Sequence, residues 1–156
     1  MGATRTSMEG TVMGKPWLPL RIAAAISVVF AIGHTLGGLK GWSPLGETDV
    51  LTAMKTFRFD VQGVNRSFYE FYRGFGFLLT VYLVLQAVLL WQLGSLARAN
   101  RAIARPFVWS FFLSSIAIVV LCWVFLFPVP AYFAVVLTAC LGWAVMAVAG
   151  RRPINE

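Results

Sequence analysis

The chain has 156 residues, 59% of them hydrophobic and only 12% charged, with mean hydropathy +0.77. A soluble domain of this length carries about twice that share of charge, which excludes a water-soluble core. The net charge of +7 raises the question of a nucleic-acid partner, and the placement of the cations, given below, answers against one.

Residues 1–16 are polar and aperiodic and read as a flexible tail. Their start, Met1-Gly2-Ala3-Thr4-Arg5-Thr6, fits the N-myristoylation pattern, although an acyl chain adds little to a protein that already crosses the bilayer. The first apolar run covers residues 18–39. It is long for a signal peptide, and no small-x-small cleavage site follows it, so it is expected to be retained. His34, the only histidine, falls six residues before Lys40, about 9 Å below that end of the helix. Ser27 shares its face, and Gly33 and Gly37 form a GxxxG that admits another helix.

Residues 40–70 form the one long connection. A turn, Gly41-Trp42-Ser43-Pro44-Leu45-Gly46, opens it. Thr48 or Asp49 then caps a short helix with Val50, Leu51, Met54 and Phe57 on one face. The stretch Phe57-Arg58-Phe59-Asp60-Val61-Gln62 alternates with period two and reads either as a helix end or as extended chain. The segment is either a functional loop or an amphipathic lid on the membrane surface. Asn65-Arg66-Ser67 fits a glycosylation acceptor, which matters only in a eukaryotic secretory membrane.

Further apolar runs follow at residues 71–93, 107–127 and 131–149. With the first, each is about 19 to 23 residues, the length an α-helix needs to cross ~30 Å of hydrocarbon. The backbone of such a run has no water to bond and must satisfy itself as a helix. A basic loop of about a dozen residues, 94–105, joins the second and third, and Pro128-Val129-Pro130 makes a tight turn between the third and fourth. Cys122 and Cys140 lie inside spans at unequal depth and read as small apolar residues, not a disulfide. Gln86, Ser110 and Ser114 suit helix-to-helix hydrogen bonds.

Four crossings put both termini and the 94–105 loop on one side. That side holds eight cations against two anions, a net of +6, and the other holds five against four, a net of +1. Lys and Arg of short loops stay in the cytoplasm, so both termini are expected there. Trp17, Trp91 and Trp109 then fall at the inner interface, and Trp42, Tyr69, Tyr72 and Tyr132 at the outer one. The expected fold is all-α: an integral membrane four-helix bundle over residues 17–150, with one longer external segment and a short basic tail, 151–156. The cations mark topology and not a nucleic-acid surface.

Polar groups inside such a protein ask for a reason. Arg66, Glu70 and Arg73 are spaced i, i+4, i+7 and share one stripe if the second helix extends outward to Arg66. Thr80 continues that stripe, Gly74 and Gly76 thin the helix, and Tyr69 and Tyr72 flank it. His34 lies at similar depth, so it is expected to face Glu70 or Arg73 across the bundle. The candidate ligand-binding residues are therefore His34, Arg66, Tyr69, Glu70, Tyr72 and Arg73. The bland reading stands beside this one: a charge-compensated helix start whose arginines snorkel to lipid phosphates, and a histidine bonded to a neighbouring carbonyl. There is no GxSxG, HExxH or Gly-rich phosphate loop. One histidine cannot supply a bis-histidine haem, and the two cysteines do not suit zinc. Beyond those two exclusions the cofactor is left unknown.

Gly33-His34-Thr35-Leu36-Gly37, Met54-Lys55, Phe59-Asp60-Val61 and the stretch from Arg66 to Gly76 together resemble a family of small bacterial membrane proteins with four helices. The resemblance runs from about residue 21 to 148 and is most specific at 66–76. It implies a bacterial inner membrane and adds no reaction. The plan is also similar, in architecture only, to sterol-isomerase-like and DoxX-like membrane proteins. The expected role is that of a lipophile-binding or membrane-accessory protein with a polar pocket near the outer face. The alternatives are an enzyme or redox subunit using Glu70 and His34 as acid and base, or a structural subunit. Expected partners are the lipid bilayer, a lipophilic small molecule and other chains meeting the glycine-thinned helix faces as homo- or hetero-oligomers.

Overall fold

The structure, a computed structural model, describes residues 15–150. The myristoylation pattern, nearly all of the N-terminal tail and the basic tail lie outside the described residues. The elements run α1 (Trp17–Leu39), α2 (Asp49–Thr56), β1 (Arg58–Val61), β2 (Val64–Ser67), α3 (Phe68–Ala99), α4 (Arg101–Phe125) and α5 (Pro128–Ala149). Helices α1, α3, α4 and α5 are long and apolar enough to cross a membrane. Less than half of each apolar window is buried by the protein itself, so each helix presents a largely apolar outward surface.

Two boundaries differ from expectation. The basic loop at 94–105 is helical except for Asn100, whose Oδ1 accepts from the backbone N–H groups of Ala102 and Ile103 and caps α4. Three arginines and Pro106 make the sequence there look like a loop. Leu93, Ala97, Ala104 and Val108 hold it helical by burying almost completely at i, i+4 spacing on either side of the cap. Pro128-Val129-Pro130 is the first turn of α5 and not the turn before it, because Pro fits a helix start, where its missing N–H has no partner to lose. Leu126 and Phe127 alone make the connection between α4 and α5.

The chain divides into two compact units: residues 28–85, and the described residues on either side of them. In the flanking unit all four long helices contribute to one core, through Leu20, Leu90, Ala104 and Leu141 among others. The core is rich in alanine, and small residues let apolar helices approach closely enough for dispersion to hold them. Gln86 Nε2 donates to Ser27 Oγ at 3.0 Å, which in turn donates to the Ala23 carbonyl at 3.0 Å. This is the helix-to-helix tie expected of Gln86. Ser110 instead bonds back to the Pro106 carbonyl within α4. Cys122 is buried against Ala131 and Ala134, Cys140 is half-buried, and both are free thiols.

In the central unit, Thr48 caps α2 by accepting from Leu51 N–H at 3.2 Å, as its position suggests. The ambiguous alternating stretch is extended: β1 and β2 pair antiparallel, Arg58 opposite Ser67 and Val61 opposite Val64. Gln62 and Gly63 both have positive φ, 52° and 78°, as a two-residue hairpin turn requires. The all-α class thus gains a small hairpin. Rings tie this hairpin and the residue before it to the start of α3: Phe68 lies 4.8 Å from Phe59 and 5.6 Å from Phe57, and Phe71 lies 6.3 Å from Phe59.

Candidate functional site

Helix α3 begins at Phe68 because Ser67 and Glu70 form a reciprocal cap. Ser67 Oγ accepts from Glu70 N–H at 3.1 Å, and Glu70 Oε2 accepts from Ser67 N–H at 2.7 Å. This is the S-x-x-E capping box, which satisfies two helix-end donors at once. It corrects the expected stripe. Arg66 belongs to β2, opposite Phe59, and donates to the neighbouring Asn65 carbonyl. Glu70 also takes an ion pair from Arg58 at 3.4 Å, and that arginine donates through Nε to Asn65 Oδ1.

His34 turns to a backbone group instead. Its Nε2 lies 3.0 Å from the Gly76 carbonyl oxygen. A carbonyl only accepts, so Nε2 is the nitrogen that carries the proton. Thr35 Oγ1 reaches Thr80 Oγ1 at 3.4 Å one residue on, giving α1 and α3 a second polar contact there.

The residue that organises this region is Trp42. Helix α1 ends in a Schellman arrangement: Trp42 N–H bonds the Gly37 carbonyl and Gly41 N–H the Gly38 carbonyl, with Gly41 at φ 81°. Trp42 itself sits at φ 48°, and the turn sends its indole back against α1 and α3. Indole Nε1 donates to the His34 carbonyl at 2.9 Å, and Tyr72 Oη donates to the Trp42 carbonyl at 3.3 Å. The ring centroid lies 5.0 Å from His34 and 4.9 Å from Phe77. A Cβ on Gly38 or Gly76 would collide with the six-membered ring, and one on Gly37 would stand 3.2 Å from Cδ1. Gly33 and Gly74, by contrast, face open space. Gly37, then, admits this chain's own indole, and among the described residues no atom comes within 4 Å of a Cβ placed on Gly33.

Arg73 is half-buried, with its guanidinium 5.7 Å from the Tyr69 ring and 5.4 Å from the Phe77 ring. Lys55 lies 5.4 Å from the same Tyr69 ring. Among the described residues the ion pairs are Lys55–Glu47 and Arg58–Glu70, so Arg73 is a cation without a carboxylate. The hydrogen bond from Lys55 holds the Glu47 carboxyl below its usual pKa.

Five of the six sequence candidates thus fall into three groups. His34 and Tyr72 join the Trp42 lock, Glu70 joins the helix cap, and Tyr69 and Arg73 form a cation–ring pair. Arg66 stands apart on the hairpin. Trp42, Arg58, Ser67 and Phe77 are the residues that sequence reasoning left out of the site. The signals were present for two of them: Gly41-Trp42 just after Gly37-Gly38, and Arg-Ser-Phe-Tyr-Glu as a capping box. Among the described residues no group of three or more His, Cys, Asp or Glu side chains is placed to hold a metal. Comparison with protein-family models, with curated proteins and with solved structures finds no match.

Proposed function

We propose that this is a small integral protein of a bacterial inner membrane, both termini cytoplasmic, that binds a lipophile whose polar head accepts hydrogen bonds from Arg73. The observation that carries the reading is Arg73 itself: half-buried, walled by Tyr69 and Phe77, and without a carboxylate among the described residues. A guanidinium presents five donors in a planar fork, and ring faces offset its charge without accepting most of them. An ester, quinone or phosphate oxygen supplies what is missing. The exposed rings of Phe71 and Phe75 on the same helix offer apolar surface for the tail.

The placement in the membrane is supported by four apolar helices and by the +6 against +1 division of charge. His34 serves here as a structural residue, and Glu70 as a cap, because each already holds a partner. The test is affinity purification in mild detergent followed by lipid mass spectrometry. The wild-type protein should retain an amphiphile that Arg73→Gln loses and Arg66→Gln keeps. Wild-type protein that is empty in several detergents, or an unchanged complement in Arg73→Gln, overturns the reading.

A further inference from the structure

A second group of cations lies in the flanking unit, where α1 begins and α3 ends. The Arg21 guanidinium carbon stands 5.5 Å from the Trp17 ring and 4.5 Å from the Trp91 ring, and that of Arg98 stands 5.8 Å from Trp17. Gly94 brings the helices close: a Cβ there would stand 3.4 Å from both Arg21 Cγ and the Trp17 carbonyl oxygen. Arg21 Nε is the one side-chain donor among the described residues that is closed to solvent and lacks an acceptor. Neither arginine has a carboxylate at ion-pair distance among the described residues.

A buried donor without an acceptor is costly, the more so in a low-dielectric setting. The indole faces hold the cations over their π-clouds, and with Nε closed off the terminal Nη groups of Arg21 are the donors a ligand can meet. The group that completes the site must carry negative charge, because two permanent cations share one ring. It must also offer several oxygens to meet a planar fork. It must reach the end of an apolar helix beside tryptophans that prefer the membrane–water interface. We infer that Arg21 and Arg98, walled by Trp17 and Trp91, form a binding site for a phosphoryl group of net negative charge, either the headgroup of an anionic phospholipid or free phosphate. Basic pockets between spanning helices commonly take such headgroups. The site is separate from Arg73 and independent of the reading given to that residue.

The experiment is native mass spectrometry of the purified full chain in detergent, titrated with phosphatidylglycerol or with phosphatidylcholine of identical acyl chains. Wild-type protein should prefer phosphatidylglycerol, and Arg21→Gln should weaken that lipid about tenfold, as loss of a charge-assisted hydrogen bond implies, without changing phosphatidylcholine. Arg98→Gln and Trp91→Leu, both at exposed positions, carry the test should Arg21→Gln fail to fold. Inorganic phosphate is added as a competitor. Displacement of the lipid identifies a free phosphoryl anion as a ligand, and persistence of the lipid identifies the headgroup with its chains; both support the site. Equal binding of the two lipids by the wild type, or an undiminished preference in the folded arginine variants, overturns it. Arg73→Gln should leave the preference intact, so the two proposals fail separately.

Discussion

His34 Nε2 meets the Gly76 carbonyl oxygen at 3.0 Å across 42 residues of sequence. A helical carbonyl that already serves its own helix has a second lone pair, and the imidazole uses it. With the indole of Trp42 donating to the His34 carbonyl, the end of α1 is tied both to α3 and to its own exit turn.

Gly76→Ala should destabilise the protein in detergent by about 1–3 kcal/mol, the cost of overpacking, because the new methyl runs into the Trp42 ring. Trp42→Ala removes the obstacle, so the double variant should lose less than the two single losses combined. Melting curves decide it. Strict additivity would show that the collision is relieved elsewhere. Gly74→Ala, in open space, should be tolerated.

Ser67→Ala should cost about 0.5–2 kcal/mol, as loss of a helix N-cap does. Glu70→Ala should be non-additive with it, since the two side chains bond each other's backbone. Glu70→Ala should be additive with His34→Ala, because those residues hold different partners. Double-variant melting measures both couplings. A strong Glu70–His34 coupling would revive the joint acid–base site.

The pH response should include the start of α2. Glu47 is bonded by Lys55 at 2.7 Å and has its pKa lowered by that bond. A carboxyl depressed in the folded state contributes fully above its unfolded pKa, and the contribution is lost as pH falls through the folded value. Acidification should therefore lower the protection of the residue 49–56 amides, measured as exchange relative to each amide's intrinsic rate at the same pH. Lys55→Gln should flatten the response, and salt should weaken it, since the pair is exposed. An acid response identical in Lys55→Gln argues against the pair.

A reporter active only outside the cytoplasm should work when fused within residues 40–70 and fail when fused after Glu156. The reverse pattern would put the hairpin and Arg73 in the cytoplasm and undo the charge-based topology.

What was legible in the sequence was set by length and periodicity, and what was hidden was set by single side chains. Twenty apolar residues in a row leave the backbone no option but a helix, so the four long helices stand close to where hydropathy puts them. Their ends obey local chemistry. Asn100 turns a basic loop into a cap, and Ser67 with Glu70 starts α3 one residue after the hairpin, which takes Arg66 off the helix. Thr48 was readable because a threonine before an amphipathic stretch has few other uses. Trp42 was not, since a tryptophan near a helix end suits a membrane interface as well as an interhelical slot. His34 bonds a neighbouring carbonyl, as the blander reading had it, but every residue owns a carbonyl, so Gly76 could not be singled out.

Asn100 is the whole of the link between a 32-residue helix and a 25-residue one. Consecutive Cα atoms are only about 3.8 Å apart, so such a link gives its two arms no slack. A flexible insert beside Asn100 should therefore free the first turn of α4 from the cap that Asn100 places on Ala102 and Ile103, and with it the close spacing of Arg98, Arg101 and Arg105 along the chain.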